Sequence, residues 1–321
     1  MIGAIGVDVG GTSTESVVID PSGQVLARSQ VPTRTPGGTA VVSSIETAIE
    51  QLLWAAPVDA IGVGVPGQVD NISGSVRLAV NLGIDDQAFP LADLLSSTQG
   101  VPVLIENDVR AAAFGVFDKL RQSGDDPGDL ALLSMGTGVA AGVVIDGSIH
   151  RGATGMAGEI GHVVVDRSGS LCRCGQTGCL ETIVSGPAIA AAWKSAGQQT
   201  PASSLFAAAA GGDAAALKLA DAVTAHLATA IHWLAAAYDV DTIVLGGGLA
   251  EAGQALLDAV RYALRTTAGS SDLATRTLDP NRIRLSPPGG PHGARGAALL
   301  AARKFDLALA TESNPPTGGN I

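Results

Sequence analysis

The chain opens on an apolar run, residues 2–9, interrupted by one charge at Asp8 and stopped by Gly10-Gly11-Thr12. A second run, residues 16–20, leads to the turn signal Pro21-Ser22-Gly23 and a third, residues 25–31. Short apolar runs divided by turn residues predict a strand meander. Over residues 41–54 the apolar positions recur at helical spacing. Residues 60–65 read as a buried strand that stops at Pro66-Gly67, and residues 101–105 as another, followed by an Ala-rich helix from Asn107 to Leu120. Residues 123–128, rich in Gly, Asp and Pro, read as a connection.

The pattern then restarts. Residues 130–134 predict a strand, Gly136-Thr137-Gly138 a turn, residues 139–145 a strand and Asp146-Gly147 a hairpin turn. Strand, Gly-Thr turn, strand therefore occurs over residues 5–20 and again over 130–146, an internal repeat that suggests duplicated folding units around a cleft. A long apolar helix is predicted over residues 214–238, then a strand over 242–245, Gly246-Gly247-Gly248, and a helix over 252–265. The tail from Thr311, with Pro315-Pro316 and Gly318-Gly319, is expected to be disordered.

The 321 residues accommodate about two domains of ~150 residues. Aromatic residues are only 3% of the chain against 46% hydrophobic, so the core must be aliphatic. Glycine, 42 residues, clusters in short loops, which suggests backbone approaching something closely. With 19 Lys+Arg against 30 Asp+Glu the net charge is -11, which repels phosphate backbones and argues against nucleic acid as a partner. No basic segment precedes the first apolar run, so no secretory leader is expected. The uncharged run over residues 130–145 falls short of the ~20 residues of a membrane span and is full of Gly, Ser and Thr. The three cysteines fall within eight residues, unlike a disulfide framework. A soluble, reduced, cytoplasmic protein is expected.

Three glycine loops carry candidate chemistry. In Asp8-Val9-Gly10-Gly11-Thr12 the amide N–H groups can face an anion, Thr12 can add a hydroxyl, and Asp8 can hold a hydrated divalent metal; a tight, Asp-capped hairpin turn explains the same residues. Gly136-Thr137-Gly138 repeats that chemistry, and Gly246-Gly247-Gly248 ends a third strand. Together the loops favour a nucleotide held between two domains. In Glu106-Asn107-Asp108 one polar residue suffices to cap the helix, and Asp108 would suit a general base taking a hydroxyl proton during phosphoryl transfer; plain N-capping is the rival reading.

Gly158-Glu159-Ile160-Gly161-His162 leads into Cys172, Cys174 and Cys179, at +10, +12 and +17 from the histidine. Three thiolates and an imidazole suit a closed structural zinc site, with Glu181 a rival fourth ligand; buried reduced thiols beside a core histidine are the alternative. Glu159 and Glu181 flank this loop, and carboxylates held rigidly beside a pocket can grip vicinal hydroxyls. Trp54, Trp193 and Trp233 are spaced like core residues, His226 and His232 read as packed or surface histidines, and Arg295 as a helix-surface charge.

With these motifs in order, the sequence resembles the ROK (repressor, open reading frame, kinase) family, and within it the bacterial ATP-dependent glucokinases. The resemblance rests on Asp8-x-Gly-Gly-Thr12, Gly64-Val-Pro-Gly67, Glu106-Asn-Asp108, Gly136-Thr-Gly138, Glu159-x-Gly-His162, the cysteine loop through Glu181, and Leu245-Gly-Gly-Gly248. It implies an α/β, two-domain actin/hexokinase-like ATPase fold with a ligand cleft between domains: residues 1–120 as a small N-terminal domain joined by a C-terminal helix at 296–310, and 121–295 as a large domain carrying the zinc loop. It further implies ATP and Mg2+ as cofactors, structural Zn2+, and phosphorylation of a hexose 6-hydroxyl, glucose first.

By matching position, Asp108 is the catalytic base, while Gly67, Asn107, Asp108, Glu159, His162 and Glu181 contact the sugar. His162, Cys172, Cys174 and Cys179 hold zinc; Asp8, Gly10, Gly11, Thr12, Gly136, Thr137 and Gly138 serve phosphates and metal; Gly246, Gly247 and Gly248 lie near the adenosine. A homo-dimer or tetramer is implied. The chain departs from the family in Ser13-Thr14-Glu15, where a lysine is usual after Gly-Gly-Thr, and in Ile84, where an aromatic is common. Kinases of other sugars (N-acetylglucosamine, N-acetylmannosamine, mannose, fructose, allose) and a non-catalytic sugar-binding or regulatory ROK protein are the alternatives.

Overall fold

A computed structural model describes residues 3–195, 198–305 and 307. The tail expected from residue 311 lies outside them. The chain divides into two compact units, one running to Gly115 and resuming at Pro291, the other Val116–Gly290.

The first unit contains β1 (Gly3–Val9), β2 (Ser13–Ile19), β3 (Val25–Pro32), α1 (Gly38–Glu50), β4 (Val58–Val65), β5 (Gln68–Asp70), β6 (Ser75–Arg77), α2 (Leu91–Gln99) and β7 (Val103–Asn107). α3 (Asp108–Gln122) begins in this unit and ends in the other. The main sheet has the order β3-β2-β1-β4-β7, with β1 antiparallel to β2 and parallel to β4, and β4 parallel to β7. Strand alternation sends Ile5, Val7 and Val9 into a core shared with Val41, Ile45 and Ile49 of α1. The opposite face of β1 meets the C-terminal helix of the chain, His292–Lys304. Backbone contact there requires glycine: a methyl group at Gly6 would lie 1.8 Å from the Ala294 carbonyl oxygen, and one at Gly62 1.9 Å from that of Ala297.

The second unit holds β8 (Leu130–Met135), β9 (Val139–Ile145), β10 (Ser148–Ile149), α4 (Glu181–Val184), α5 (Gly186–Ala192), α6 (Pro201–Ala210), α7 (Ala214–Tyr238), β11 (Thr242–Gly246), α8 (Gln254–Ala268), α9 (Asp272–Thr277) and β12 (Ile283–Leu285); the C-terminal helix is α10. Its sheet, β10-β9-β8-β11-β12, repeats the first in plan: a leading strand, a hairpin partner on one side and parallel strands on the other. This is the repeat expected from the two Gly-Thr turns. α7 starts at its Asp213 cap, whose carboxylate accepts from Ala216 N at 2.8 Å. By length and composition α7 could cross a membrane. Its Leu227, Ile231 and Leu234 are instead buried in the core of this unit with residues of α6 and α8.

Several sequence expectations need correction. The helix predicted over residues 41–54 ends at Glu50, because the chain continues in turns toward Pro57. Trp54 consequently lies outside the core, 79% exposed, its indole N–H donating to the Gln51 carbonyl. Arg295 is not a surface charge: α10 is covered on several sides, and the guanidinium is buried where it donates to Gly23 O at 3.1 Å and Gly115 O at 3.4 Å. Trp193, by contrast, packs half-buried against the core of its unit as its spacing predicts, its indole N–H donating to Ser204 Oγ at 3.2 Å. α8 begins at Gln254 because Gly248–Ala252 forms a 3-10 turn ended by Gly253, at φ 63°. α10 begins before residue 296 and ends at Lys304.

Candidate active site

In the first unit three strand ends supply the candidate residues. Asp8, Gly64 and Glu106 occupy one register row across β1, β4 and β7. Gly64 leaves room for the turn into α3: a methyl there would touch Asp108 Cα at 3.4 Å and Ala111 Cβ at 3.4 Å. At the start of α3, Asn107 does the capping. Its Oδ1 accepts from Val109 N at 3.1 Å and Arg110 N at 3.2 Å, while its Nδ2 donates to Gly67 O at 3.3 Å. Asp108 stands one residue further on, in the first turn, its Oδ1 accepting from Val109 N at 2.9 Å. Gly67 has φ 97°, and a methyl there would lie 2.7 Å from Arg77 O, so glycine is required at that bend.

The Asp8 carboxyl is pushed up to about 8, by burial first and then by the charges of Asp108 and Glu15. Glu15 is its cross-strand partner on β2. A cation at Asp8 would relieve that repulsion, which is the property of a metal-side carboxylate. Next to it, Gly10 N donates to Ser13 O at 2.9 Å and so closes the turn, while Gly11 and Thr12 are exposed at its tip. Thr33 pins this loop, donating through N to Thr12 O and through Oγ1 to Gly10 O.

In the second unit the parallel pairing of β8 and β11 sets two glycine loops side by side. Gly247, at φ 75°, lies so close to Met135 that a methyl would fall 2.6 Å from its backbone, and Gly248 borders open space. Gly136-Thr137-Gly138 joins β8 to β9, closed by Gly136 N donating to Gly138 O at 2.9 Å. Glu181 belongs to this turn: its Oε2 accepts from Val139 N at 3.0 Å and lies 2.8 Å from where a Gly138 methyl would be. The segment carrying Glu159 and His162 packs on the same strand, with Gly158 against Ala141 and Gly161 against Val139 so closely that side chains there would collide with backbone.

The cysteine loop ties these pieces together. Leu180 N donates to Val163 O at 3.0 Å, and Val164 bridges Cys179, so the loop joins the His162 segment to Glu181. The ligand atoms of His162, Cys172, Cys174 and Cys179 lie within 4.8 Å of one another. Cys174 Sγ is 3.6 Å from Cys179 Sγ, and Cys172 Sγ 3.6 Å from His162 Nδ1. Thiolates around zinc, at a Zn–S distance of about 2.3 Å, stand about 3.8 Å apart, so the donor set fits a tetrahedral zinc ion. Burial works to raise the Cys174 thiol, but hydrogen bonds from Gln176 and the neighbouring thiols outweigh it and bring it to about 7. Burial and the thiols of Cys174 and Cys172 push Cys179 up to about 12. Sulfurs this close resist joint ionisation unless a cation sits among them.

Arg110 and Asn71, both partners of Glu106 at the base of the Asp108 turn, are the residues that sequence motifs do not single out. The Glu106 carboxylate, fully buried, accepts through Oε1 from Arg110 Nε at 2.9 Å and from Asn107 N at 2.9 Å. Its Oε2 accepts from Asn71 Nδ2 at 3.2 Å, and Asn71 also donates to Ile105 O at 2.8 Å. The i,i+4 spacing of Glu106 and Arg110 was a usable signal. Asn71, 35 residues from Glu106 in sequence, gave none.

Residues 4–304 match the model of the ROK family. A glucokinase of Halalkalibacterium halodurans is 34% identical over 301 residues, covering 85% of this chain and 90% of that protein. An N-acetylmannosamine kinase of Yersinia pseudotuberculosis is 32% identical over 305 residues, covering 92% and 97%. Among solved structures, a ROK family glucokinase from Streptomyces griseus in complex with glucose and AMPPNP superposes with a TM-score of 0.78 at 30% identity, covering 94% of this chain and 99% of that one.

Proposed function

The chain belongs to the ROK family, and from that premise we propose that it is an ATP-dependent sugar kinase, transferring the terminal phosphoryl group of ATP to the 6-hydroxyl of a hexose, with glucose as the substrate. The observation that carries this reading is the turn from β7 into α3. Asn107 takes the capping work, so the adjacent carboxylate of Asp108 has a role beyond holding the helix, and Asp8 lies close enough for the two charges to repel.

In the reaction the sugar hydroxyl loses its proton to Asp108 as its oxygen bonds to the γ-phosphorus; the bond from that phosphorus to the β,γ-bridging oxygen breaks and ADP leaves. Asp8 holds the Mg2+ that accompanies the nucleotide. Gly10 shapes the loop through its closing hydrogen bond, while Gly11, Thr12 and the Gly136-Thr137-Gly138 turn serve the phosphates, and Gly246, Gly247 and Gly248 the adenosine. Gly67, Asn107, Glu159, His162 and Glu181 bind the sugar. His162 turns Nδ1 toward Cys172, which supports a role for Nε2 on a sugar hydroxyl; Glu181 spends Oε2 on Val139 N, which supports the same role for Oε1. Zinc, held by His162, Cys172, Cys174 and Cys179, supplies rigidity rather than reactivity.

Glucose is favoured by the glucokinase relatives and by the glucose-bound Streptomyces structure. N-acetylmannosamine is the second reading, supported by the Yersinia relative that spans 92% of the chain. We assign the enzyme to the cytoplasm, as a homo-dimer or tetramer. ADP release measured across glucose, N-acetylmannosamine, N-acetylglucosamine, mannose, fructose and allose tests the assignment: the highest kcat/KM is expected with glucose, and turnover with none would leave a sugar-binding protein. Asp108→Asn should bind glucose normally by calorimetry while kcat falls about 10²–10⁴-fold; near-normal turnover removes Asp108 from the base role.

A further inference from the structure

On the reading that Asp8 carries the nucleotide's metal, we propose that Gly293, in the first turn of α10, is a positioning residue for that carboxylate: the volume a side chain would take there is the volume Asp8 occupies. A methyl group at Gly293 would lie 2.1 Å from Asp8 Oδ2, 2.5 Å from Cγ and 3.2 Å from Cβ. These three are the nearest heavy atoms, all of one side chain. Alternation along β1 puts Gly6 and Asp8 on the face that meets α10, opposite Ile5, Val7 and Val9.

The backbone gives no other reason for glycine at this position. Gly293 has no positive φ and lies inside a helix, where glycine is less favourable than alanine. The other close glycines of this packing differ in kind. A methyl at Gly6, Gly62 or Gly296 would strike the backbone oxygen of Ala294, Ala297 or Ala111, so those positions set how near α10 can come. With the helix held there, a side chain at Gly293 has one way out, which is to turn the Asp8 carboxyl away from its present direction. Glycine at 293 thus preserves the aim of a carboxylate at the expense of helix propensity.

Gly293→Ala separates the two roles. The melting temperature should stay level or rise, and glucose binding by calorimetry should be unchanged. The Mg2+ concentration that half-saturates binding of a non-hydrolysable ATP analogue should rise about 10–100-fold, as when other supports of a metal ligand are lost, and kcat should fall with it. Asp8→Ala and Asp8→Ala/Gly293→Ala complete the cycle. With the carboxylate gone the methyl has room, so the double variant should bind the Mg2+–nucleotide no more weakly than Asp8→Ala alone. Wild-type Mg2+ dependence in Gly293→Ala, or an equal added loss in the Asp8→Ala background, overturns the proposal. If Gly293→Ala fails to fold, a folded double variant still supports the steric link, and two unfolded variants overturn it. Normal Mg2+–nucleotide binding by Asp8→Ala overturns instead the assignment of Asp8 to the metal.

Discussion

At Asp8, burial and two neighbouring carboxylates push the carboxyl up to about 8 from the ordinary 3.8, so the folded protein holds a proton that the unfolded chain releases. Between about pH 4 and pH 8 the native state binds more protons than the unfolded one, and stability contributed by this group falls as pH rises through that window. Thermal unfolding of the metal-free protein should show a melting temperature declining from pH 5 to pH 8.5, and Asp8→Asn should flatten the decline. Mg2+ with nucleotide should stabilise more at pH 8 than at pH 5.5, because cation and proton compete for the same oxygens. The Glu106–Arg110 pair gives a second expectation at this scale. Both side chains are buried, so Arg110→Met leaves an uncompensated carboxylate and should cost about 3–5 kcal/mol by urea denaturation. Glu106→Leu/Arg110→Met removes both charges and should recover much of that stability. It should not recover kcat, since Asn107 N loses the acceptor that fixes the turn carrying Asp108.

Among the elements, those built on short-range signals were the legible ones. Apolar runs and glycine turns marked both halves of the repeat, and the single Asn107 cap explained how α3 starts. Helix ends were harder to read: nothing in the apolar spacing of residues 41–54 distinguishes the last helical turn from the turns that follow Glu50. Arg295 was misread because its buried carbonyl partners, Gly23 and Gly115, are 272 and 180 residues away in sequence. The cysteine loop was legible because its spacing is itself the chemistry, and its contacts give it a measurable role. It links the His162 segment to Glu181 through Val163, Val164, Cys179 and Leu180. Metal analysis should find one zinc per chain. Cys174→Ser or chelation should lower the melting temperature and weaken glucose binding, with loss of hydrogen-exchange protection concentrated around Glu159 and Glu181. Unchanged glucose affinity in the metal-free protein would mean that these carboxylates do not depend on the ion.

For the whole molecule, the two sheets share one plan, a leading strand with a hairpin partner and parallel neighbours, of which the Gly-Thr turns at the ends of the two leading strands mark the repeated strand-turn-strand. The aim of individual side chains was not legible, because it depends on long-range approach: the room at Gly293 exists only once α10 lies on β1. Net charge, by contrast, needs no structure. At -11 the chain repels an anionic nucleotide before any local contact forms, and that repulsion is long-ranged at low salt. Raising KCl from 20 to 200 mM at saturating Mg2+ should therefore lower KM for ATP, roughly three- to fivefold by a Debye-screened estimate for two anionic bodies. The KM for the neutral sugar should stay level, which separates screening from a general effect of salt on the fold. A rise in KM for ATP over the same range would show that attraction from the metal and loop amides outweighs the field of the protein as a whole.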